Sequence, residues 1–370
     1  MVVDKILNCF FNDKAVFKYS KQKQVDYINK LGEPKDEIER SYFQYKCQIH
    51  HLNIFQRLFL NIISRIALIL LFLRPKRTTD FKENVENLFV FVHDERNVPQ
   101  KYRSTSHLKI EQINGSSWSS TANTLYLEIK KRYRHHAYFL LKLRKKIGFY
   151  QYLIDSYKPN NIITSNEYSF TSSVLSLLCR RENVRHVDVM HGEKLFYFGD
   201  AFFYFDEISV WDEYYLNLFS ELKAAYGSET VYFPIERFFI KSDDEPTVDY
   251  TYYLQMQTKK EMRKISLFLS KLQPARVAVR PHPRYTDISK CKKIFKNFEV
   301  EDTTNISIEQ SLARTKAVIS VFSTVLLQAK CSSIAYYVDD ISDAGKFNKL
   351  RDLNYRLINN NELTRLFNHK

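Results

Sequence analysis

Arg276-Val-Ala-Val-Arg-Pro-His-Pro-Arg284 is the stretch on which the fold turns. A short apolar strand over Arg276 to Arg280 runs straight into two prolines, which cannot continue a ladder and hold the backbone between them in one direction. Before it stand a strand over Asp249 to Gln257 and a helical pattern over Lys259 to Leu272. After it come a helix at Ile288 to Phe298, a short strand at Phe298 to Val300 and a helix at Ser307 to Ala313. A strand at Ala317 to Val321, a helix at Ser323 to Lys330 and a strand at Ser333 to Val338 complete the series. Strands alternating with helices predict a parallel sheet with helices on both faces.

The same rhythm occurs once more upstream. Leu88 to His93 reads as a buried strand and His107 to Ile113 as a weaker one, followed by a long helical pattern over Thr121 to Tyr157. Asn161 to Thr164, Val184 to Met190, Glu207 to Trp211 and Val231 to Pro234 read as strands, with helices at Phe170 to Arg181 and Asp212 to Ala225. The polar Lys241-Ser-Asp-Asp-Glu-Pro246 breaks the alternation and reads as a linker. The expected fold is therefore α/β, with two doubly wound Rossmann-like domains facing a central cleft and an N-terminal helical extension. Residues 1–85 are expected to form a basic, helical, membrane-associating part of the N-terminal domain and 86–240 its Rossmann-like part; 249–345 are expected to form the C-terminal Rossmann-like domain and 346–370 a C-terminal helical tail.

A chain of 370 residues exceeds what a single core sustains, in keeping with two domains. Seven glycines leave no Gly-x-Gly-x-x-Gly and no Gly-x-x-x-x-Gly-Lys, which argues against a dinucleotide fingerprint and a P-loop. Five scattered cysteines (9, 47, 179, 291 and 331) fit neither a disulfide framework nor a zinc ribbon, and a reducing cytoplasm suits them. The N-terminus has no long apolar run with a small-residue cleavage site, so no signal peptide is read. Lys and Arg outnumber Asp and Glu by 56 to 42, a balance that suits nucleic acid, anionic lipid or a phosphate-bearing substrate. Lys-rich codon usage would give the same count.

Leu52 to Leu73 is the most apolar stretch, interrupted by Arg57, Asn61, Ser64 and Arg65 and followed by Arg74-Pro-Lys-Arg77. A central arginine disfavours a membrane span. Two readings remain: a helix lying in the interface above anionic headgroups, or an ordinary buried helix. Lys130, Lys131, Arg132, Arg134, Lys142, Arg144, Lys145 and Lys146 make the Thr121 to Tyr157 segment either a basic surface or a solvated helix face. Nothing resembles a nucleic-acid module, so no nucleic acid is expected as partner.

Three clusters stand where such folds place ligands, at the carboxyl ends of strands. Met190-His191-Gly192-Glu193 offers a general base in His191, with Glu193 as its partner or rival and Asp188 as a further candidate. Arg280, His282 and Arg284 surround the two prolines with charge suited to a diphosphate. Ser320-Val-Phe-Ser323-Thr324 meets a helix N-terminus, where amides and hydroxyls favour an anion; Ser323 also suits a plain N-cap. A zinc site built from His186, His191 and His282 has no ligand spacing to support it.

In that order, His-Gly, then Arg-x-His-Pro, then Ser-x-x-Ser-Thr some 40 residues later, the motifs resemble the bacterial GT-B transferases of surface polysaccharides. These are the sialyltransferases, polysialyltransferases, Kdo transferases and CDP-glycerol glycerophosphotransferases. The resemblance covers about Ile162 to Val338. It implies that His282, Ser323 and Thr324 contact the phosphate of a cytidine-nucleotide donor, that His191 is a catalytic base, and that 249–345 is the nucleotide-donor domain and 86–240 the acceptor domain. The expected activity is a glycosyltransferase of capsule, lipooligosaccharide or O-antigen synthesis. It would take a CMP- or CDP-linked donor, with a sialic-acid-like sugar favoured, to a lipid-linked or oligosaccharide acceptor. A polyol-phosphate transferase and a non-catalytic polysaccharide-assembly protein are the alternatives. No separate cofactor is expected, and the lack of an Asp-x-Asp pair fits a metal-independent reaction. The expected location is cytoplasmic, peripheral on the inner face of the cell membrane. The acidic motif of the sialyltransferases is absent, and Lys194-Leu-Phe does not continue as in the glycerophosphotransferases.

Overall fold

The computed structural model describes residues 16–72, 81–92, 94–113, 115–190, 192–232, 240, 245–272, 275–283, 285–359 and 361–368. The chain forms two compact units, divided between Pro234 and Ile235. Of the polar linker, residues 241–244 lie outside the described part.

The first unit opens with three helices, α1 (Lys21–Leu31), α2 (Glu37–Ile49) and α3 (Ile54–Phe72). Ser20 caps α1 by accepting from the Lys23 N–H, and Gly32 ends it at φ +81°, a conformation glycine adopts without strain. Asp36 caps α2 by accepting from the Glu39 N–H at 2.8 Å. The sheet strands are β1 (Asn87–Val90), β2 (His107–Ile110), β3 (Asn161–Thr164), β4 (Arg185–Val189), β5 (Glu207–Val210) and β6 (Glu229–Tyr232). Their spatial order is β2-β1-β3-β4-β5-β6, and every pairing is parallel. β1 and β5 are buried along their whole length, whereas the edge strand β2 alternates exposed and half-buried residues. Continuous burial is what a central parallel strand requires, because helices cover both of its faces.

The basic segment expected as one helix is two. α4 (Gln100–Arg103) is a single turn; α5 (Ser120–Tyr133) and α6 (Ala137–Tyr157) are separated by Arg134 to His136. Asn61 of α3 fixes the break: its Oδ1 accepts from the Ala137 N–H at 2.8 Å and its Nδ2 donates to the His135 carbonyl at 3.1 Å. α6 then ends at Lys158 in the left-handed conformation, its N–H bonded to the Ile154 carbonyl. α7 (Ser172–Arg181) and α8 (Glu213–Glu221) complete this unit.

The second unit carries β7 (Val248–Tyr253), β8 (Val277–Arg280), β9 (Glu299–Val300), β10 (Thr315–Ser320) and β11 (Ala335–Val338) in the parallel order β11-β10-β7-β8-β9. Its helices are α9 (Lys259–Leu269), α10 (Ile288–Ile294), α11 (Ile308–Ala313), α12 (Thr324–Cys331), α13 (Ala344–Asp352) and α14 (Arg365–Asn368). Thr258 with Glu261, and Ser307 with Gln310, form capping boxes that start α9 and α11. The final segment is not a separate tail. The Val338 N–H donates to the Asn361 carbonyl and the Leu363 N–H to the Val338 carbonyl, and the buried Leu363 belongs to the core with Tyr252 and Ile319.

Arg280 is where the local reading fails. Its guanidinium is buried, donating to Glu301 Oε2 at 2.8 Å and to the Ile306 carbonyl at 3.0 Å. Glu301 is fully buried and also accepts from Ser311 Oγ at 2.7 Å. The residue expected to meet a phosphate therefore ties β8 to the turn after β9. Removing one partner of a buried pair strands the other charge. Glu301→Ala should lower the unfolding free energy by about 3–5 kcal/mol in urea titration. A loss within experimental error would show Arg280 to be free for ligand.

Candidate functional site

In each sheet the strand order reverses beside its first strand: between β1 and β3 in the first unit, and between β7 and β10 in the second. Crossovers leaving in opposite directions open a crevice at the strand carboxyl ends there.

In the second unit, Gln255 occupies this point, two residues past β7. Its Nε2 donates to Ser323 Oγ at 3.0 Å, and its carbonyl accepts from Thr286 Oγ1 at 3.1 Å. Thr286 in turn closes the Pro-His-Pro loop: its Oγ1 accepts from the His282 N–H at 3.1 Å, and its N–H donates to the His282 carbonyl at 3.0 Å. The half-buried His282 ring stacks on Tyr285, with centroids 4.5 Å apart and planes at 28°. Ser323 is extended (φ −165°, ψ 146°) and caps α12 through the Val325 N–H. Thr324, half-buried, opens the helix. One residue, through its side chain on one side and its backbone carbonyl on the other, thus joins the two motifs that the sequence kept 40 residues apart. Gln255 falls inside the strand expected over Asp249 to Gln257; β7 ends at Tyr253, and only that end puts Gln255 in the loop.

Ser320 does not belong to this group. It is buried at the end of β10 with Oγ donating to the Tyr253 carbonyl at 2.9 Å, and so serves the β10–β7 seam. Arg280 is withdrawn into its pair with Glu301. Arg284 lies outside the described residues, as does His191.

In the first unit, the ends of β3 and β4 gather charge that sequence reading largely missed. Asp188, Glu167, Glu193 and Asp200 are all buried. Lys194 Nζ stands 2.6 Å from Glu167 Oε1, and the Asn166 N–H donates to Asp188 Oδ1 at 2.9 Å. Burial alone would make Lys194 easier to deprotonate, but Glu167, Asp200 and Asp188 outweigh it and hold the ammonium charged. Asp188 is pushed well above the usual carboxylate range by burial and then by Glu167, against the opposing pull of the Asn166 N–H and Lys194. Glu193 Oε2 accepts from the buried Tyr215 hydroxyl at 2.7 Å, which fixes its carboxylate on the side of α8.

The N-terminal helices hold these loops. Gln24 of α1 accepts from the Phe198 N–H at 2.8 Å. Gln44 of α2 donates to the Glu167 carbonyl at 3.0 Å and to the Gly199 carbonyl at 3.2 Å, and Gln48 donates to the Gly199 carbonyl at 2.9 Å. Two helices of the part expected to associate with a membrane thus also hold the loops of this candidate site.

His186 is a core residue. It is fully buried between Ser176 Oγ (2.8 Å) and Tyr150 OH (3.2 Å), and burial, assisted by Lys146, pulls it down to about 3. Both of its ring nitrogens are thus engaged inside the core. Among the described residues no group of three His, Cys, Asp or Glu side chains is placed to hold a metal ion.

No protein-family model and no curated protein matches the chain. It is similar to solved structures of the wall teichoic acid polymerase TagF soaked with CDPG (10% identity, 78% of this chain and 79% of that one, TM-score 0.38). The calicheamicin glycosyltransferase CalG4 is similar at 10% identity over 73% and 82% (TM-score 0.40). MnaA of S. aureus with UDP is similar at 9% over 78% and 96% (TM-score 0.42). At these identities and scores the likenesses assign no activity.

The raised Asp188 has a consequence for stability. Its folded form holds a proton more tightly than the unfolded carboxylate, whose pKa is about 3.9. Its contribution is therefore complete below about pH 3.9 and declines as pH rises through the folded value. Asp188→Asn should gain stability relative to wild type as the pH is raised from about 4 to 8, by chemical denaturation. A constant difference across that range would place an ordinary carboxylate there.

Proposed function

We propose that the chain is a GT-B glycosyltransferase that transfers a sugar from a nucleotide-activated donor to a glycan acceptor. The single observation that carries this reading is the Gln255 bridge, which sets the His282 loop and the Ser323–Thr324 helix start on either side of one switch point. A ring N–H, hydroxyls and a helix start at the same sheet edge suit a phosphate ester, because the helix end supplies partial positive charge where an anion sits.

On this reading the second unit holds the nucleotide through His282, Ser323 and Thr324. The acceptor hydroxyl oxygen attacks the anomeric carbon, the bond from that carbon to the phosphate oxygen breaks, and the nucleotide leaves with the electron pair. His191 takes the hydroxyl proton. Glu193, anchored by Tyr215, is the neighbouring carboxylate. Charge grows on the leaving phosphate in the transition state, so the donors around it act on turnover as well as on binding. Cytidine as the base, a sialic-acid-like sugar and surface polysaccharide as the product follow from the motif resemblance. A CDP-linked polyol phosphate would use the same phosphate cradle.

A thermal-shift screen against CMP, CDP, UDP and GDP tests the reading first. CMP or CDP should raise the melting temperature, and a flat response to all four would discard the transferase. Next, His282→Ala and the double change Ser323→Ala with Thr324→Ala should each weaken nucleotide binding by about tenfold to a hundredfold, from the 1.5–3 kcal/mol of a charge-assisted hydrogen bond. Calorimetric affinities equal to wild type in both would leave a strand end and a helix cap.

A further inference from the structure

We infer that α3 lies in the plane of an anionic lipid surface, with its outer face sunk among the acyl chains. This goes beyond the transferase reading and does not depend on it. Phe55, Leu58, Ile62, Ile66, Ile69 and Leu70 all point to solvent, with Phe55 78% and Ile62 58% exposed. Spacings of three and four residues place them on one stripe of the helix. Leu60, Ser64 and Ala67 on the other face are buried with the core residues of α6. Scattered exposed apolar residues are ordinary, but a continuous stripe of this size is not.

Charge identifies the occupant. From Arg40 to Thr79 the chain has no Asp or Glu and seven Lys or Arg; from Ile129 to Ile154 it has none again, with eight Lys or Arg. α3 packs against α6, so the basic residues of these two helices stand on neighbouring elements of the unit. Arg57 and Arg65 are exposed on α3 itself. Long basic side chains bordering an apolar stripe reach headgroups while the stripe enters hydrocarbon. A second copy on the same stripe would set like charges against each other.

The helix is long and apolar enough to cross a bilayer, with 18 residues at mean hydropathy 1.8. Crossing would strip Leu60 and Ala67 from the core and break both Asn61 bonds to the start of α6. An in-plane pose keeps all of these and wets none of the stripe.

The full chain should co-sediment with phosphatidylcholine vesicles containing phosphatidylglycerol, more weakly as salt is raised and hardly at all with phosphatidylcholine alone. Ile62→Glu with Ile66→Glu should cut the bound fraction about tenfold or more at unchanged circular dichroism and melting temperature. Phe55→Trp should shift its emission to the blue on the anionic vesicles. Absent binding, an unshifted tryptophan, or wild-type binding by the double variant would each overturn the inference. So would a concentration-dependent dimer that the double variant dissolves while vesicle binding stays absent, since a second copy would then cover the stripe.

Discussion

Within each sheet, parallel pairing sends every strand carboxyl end to one edge, and the candidate site residues of that unit gather there because of it. A parallel strand must be followed by a crossover, so each carboxyl end is the start of a loop whose amides are not consumed by the ladder. Where two neighbouring crossovers part in opposite directions the loops separate. Gln255 sits at that parting in the second unit and spans it, bonding to Ser323 on one side and to Thr286 on the other. The first unit uses the equivalent edge differently, collecting Glu167, Asp188, Glu193 and Lys194 at the ends of β3 and β4 and in the loop beyond.

The two units also differ in how they manage buried charge. The second neutralises Arg280 with Glu301 and adds Ser311 and the Ile306 carbonyl, a set in which each charge has its partner. Such a pair contributes little against an apolar replacement, but costs heavily when half of it is removed. In the first unit, burial first and the neighbouring Glu167 carboxylate second raise Asp188, and Lys194 only partly opposes them. Repulsion between buried like charges is relieved by a proton, which leaves this cluster able to hold or release one.

Helices α1 and α2 show that a polar residue on an otherwise ordinary helix can serve a distant loop. Gln24, Gln44 and Gln48 reach the 167–168 and 198–199 backbone, whose carbonyls and amides would otherwise be buried without partners. Helix α3 is the opposite case. It brings few bonds to the unit beyond those of Asn61, and its apolar stripe faces outward, where only a second surface can remove it from water.

The sequence by itself determined the α/β class, the two series of strands and helices, and the order of the His-Pro and Ser-Thr motifs. Periodicity, prolines and caps are local, and residues such as Val277 to Val279 or Thr258 with Glu261 declare their role within a few positions. Only the tertiary structure decided the partners of polar side chains. Arg280 and His282 look alike in the sequence, two basic residues beside the same prolines, yet one is buried on Glu301 and the other stacks on Tyr285 at the loop. Gln255 and Ser323 are 68 positions apart and meet because β7 and β10 are adjacent. Strand order and register set such meetings, and neither is encoded within the span of residues that makes a strand a strand.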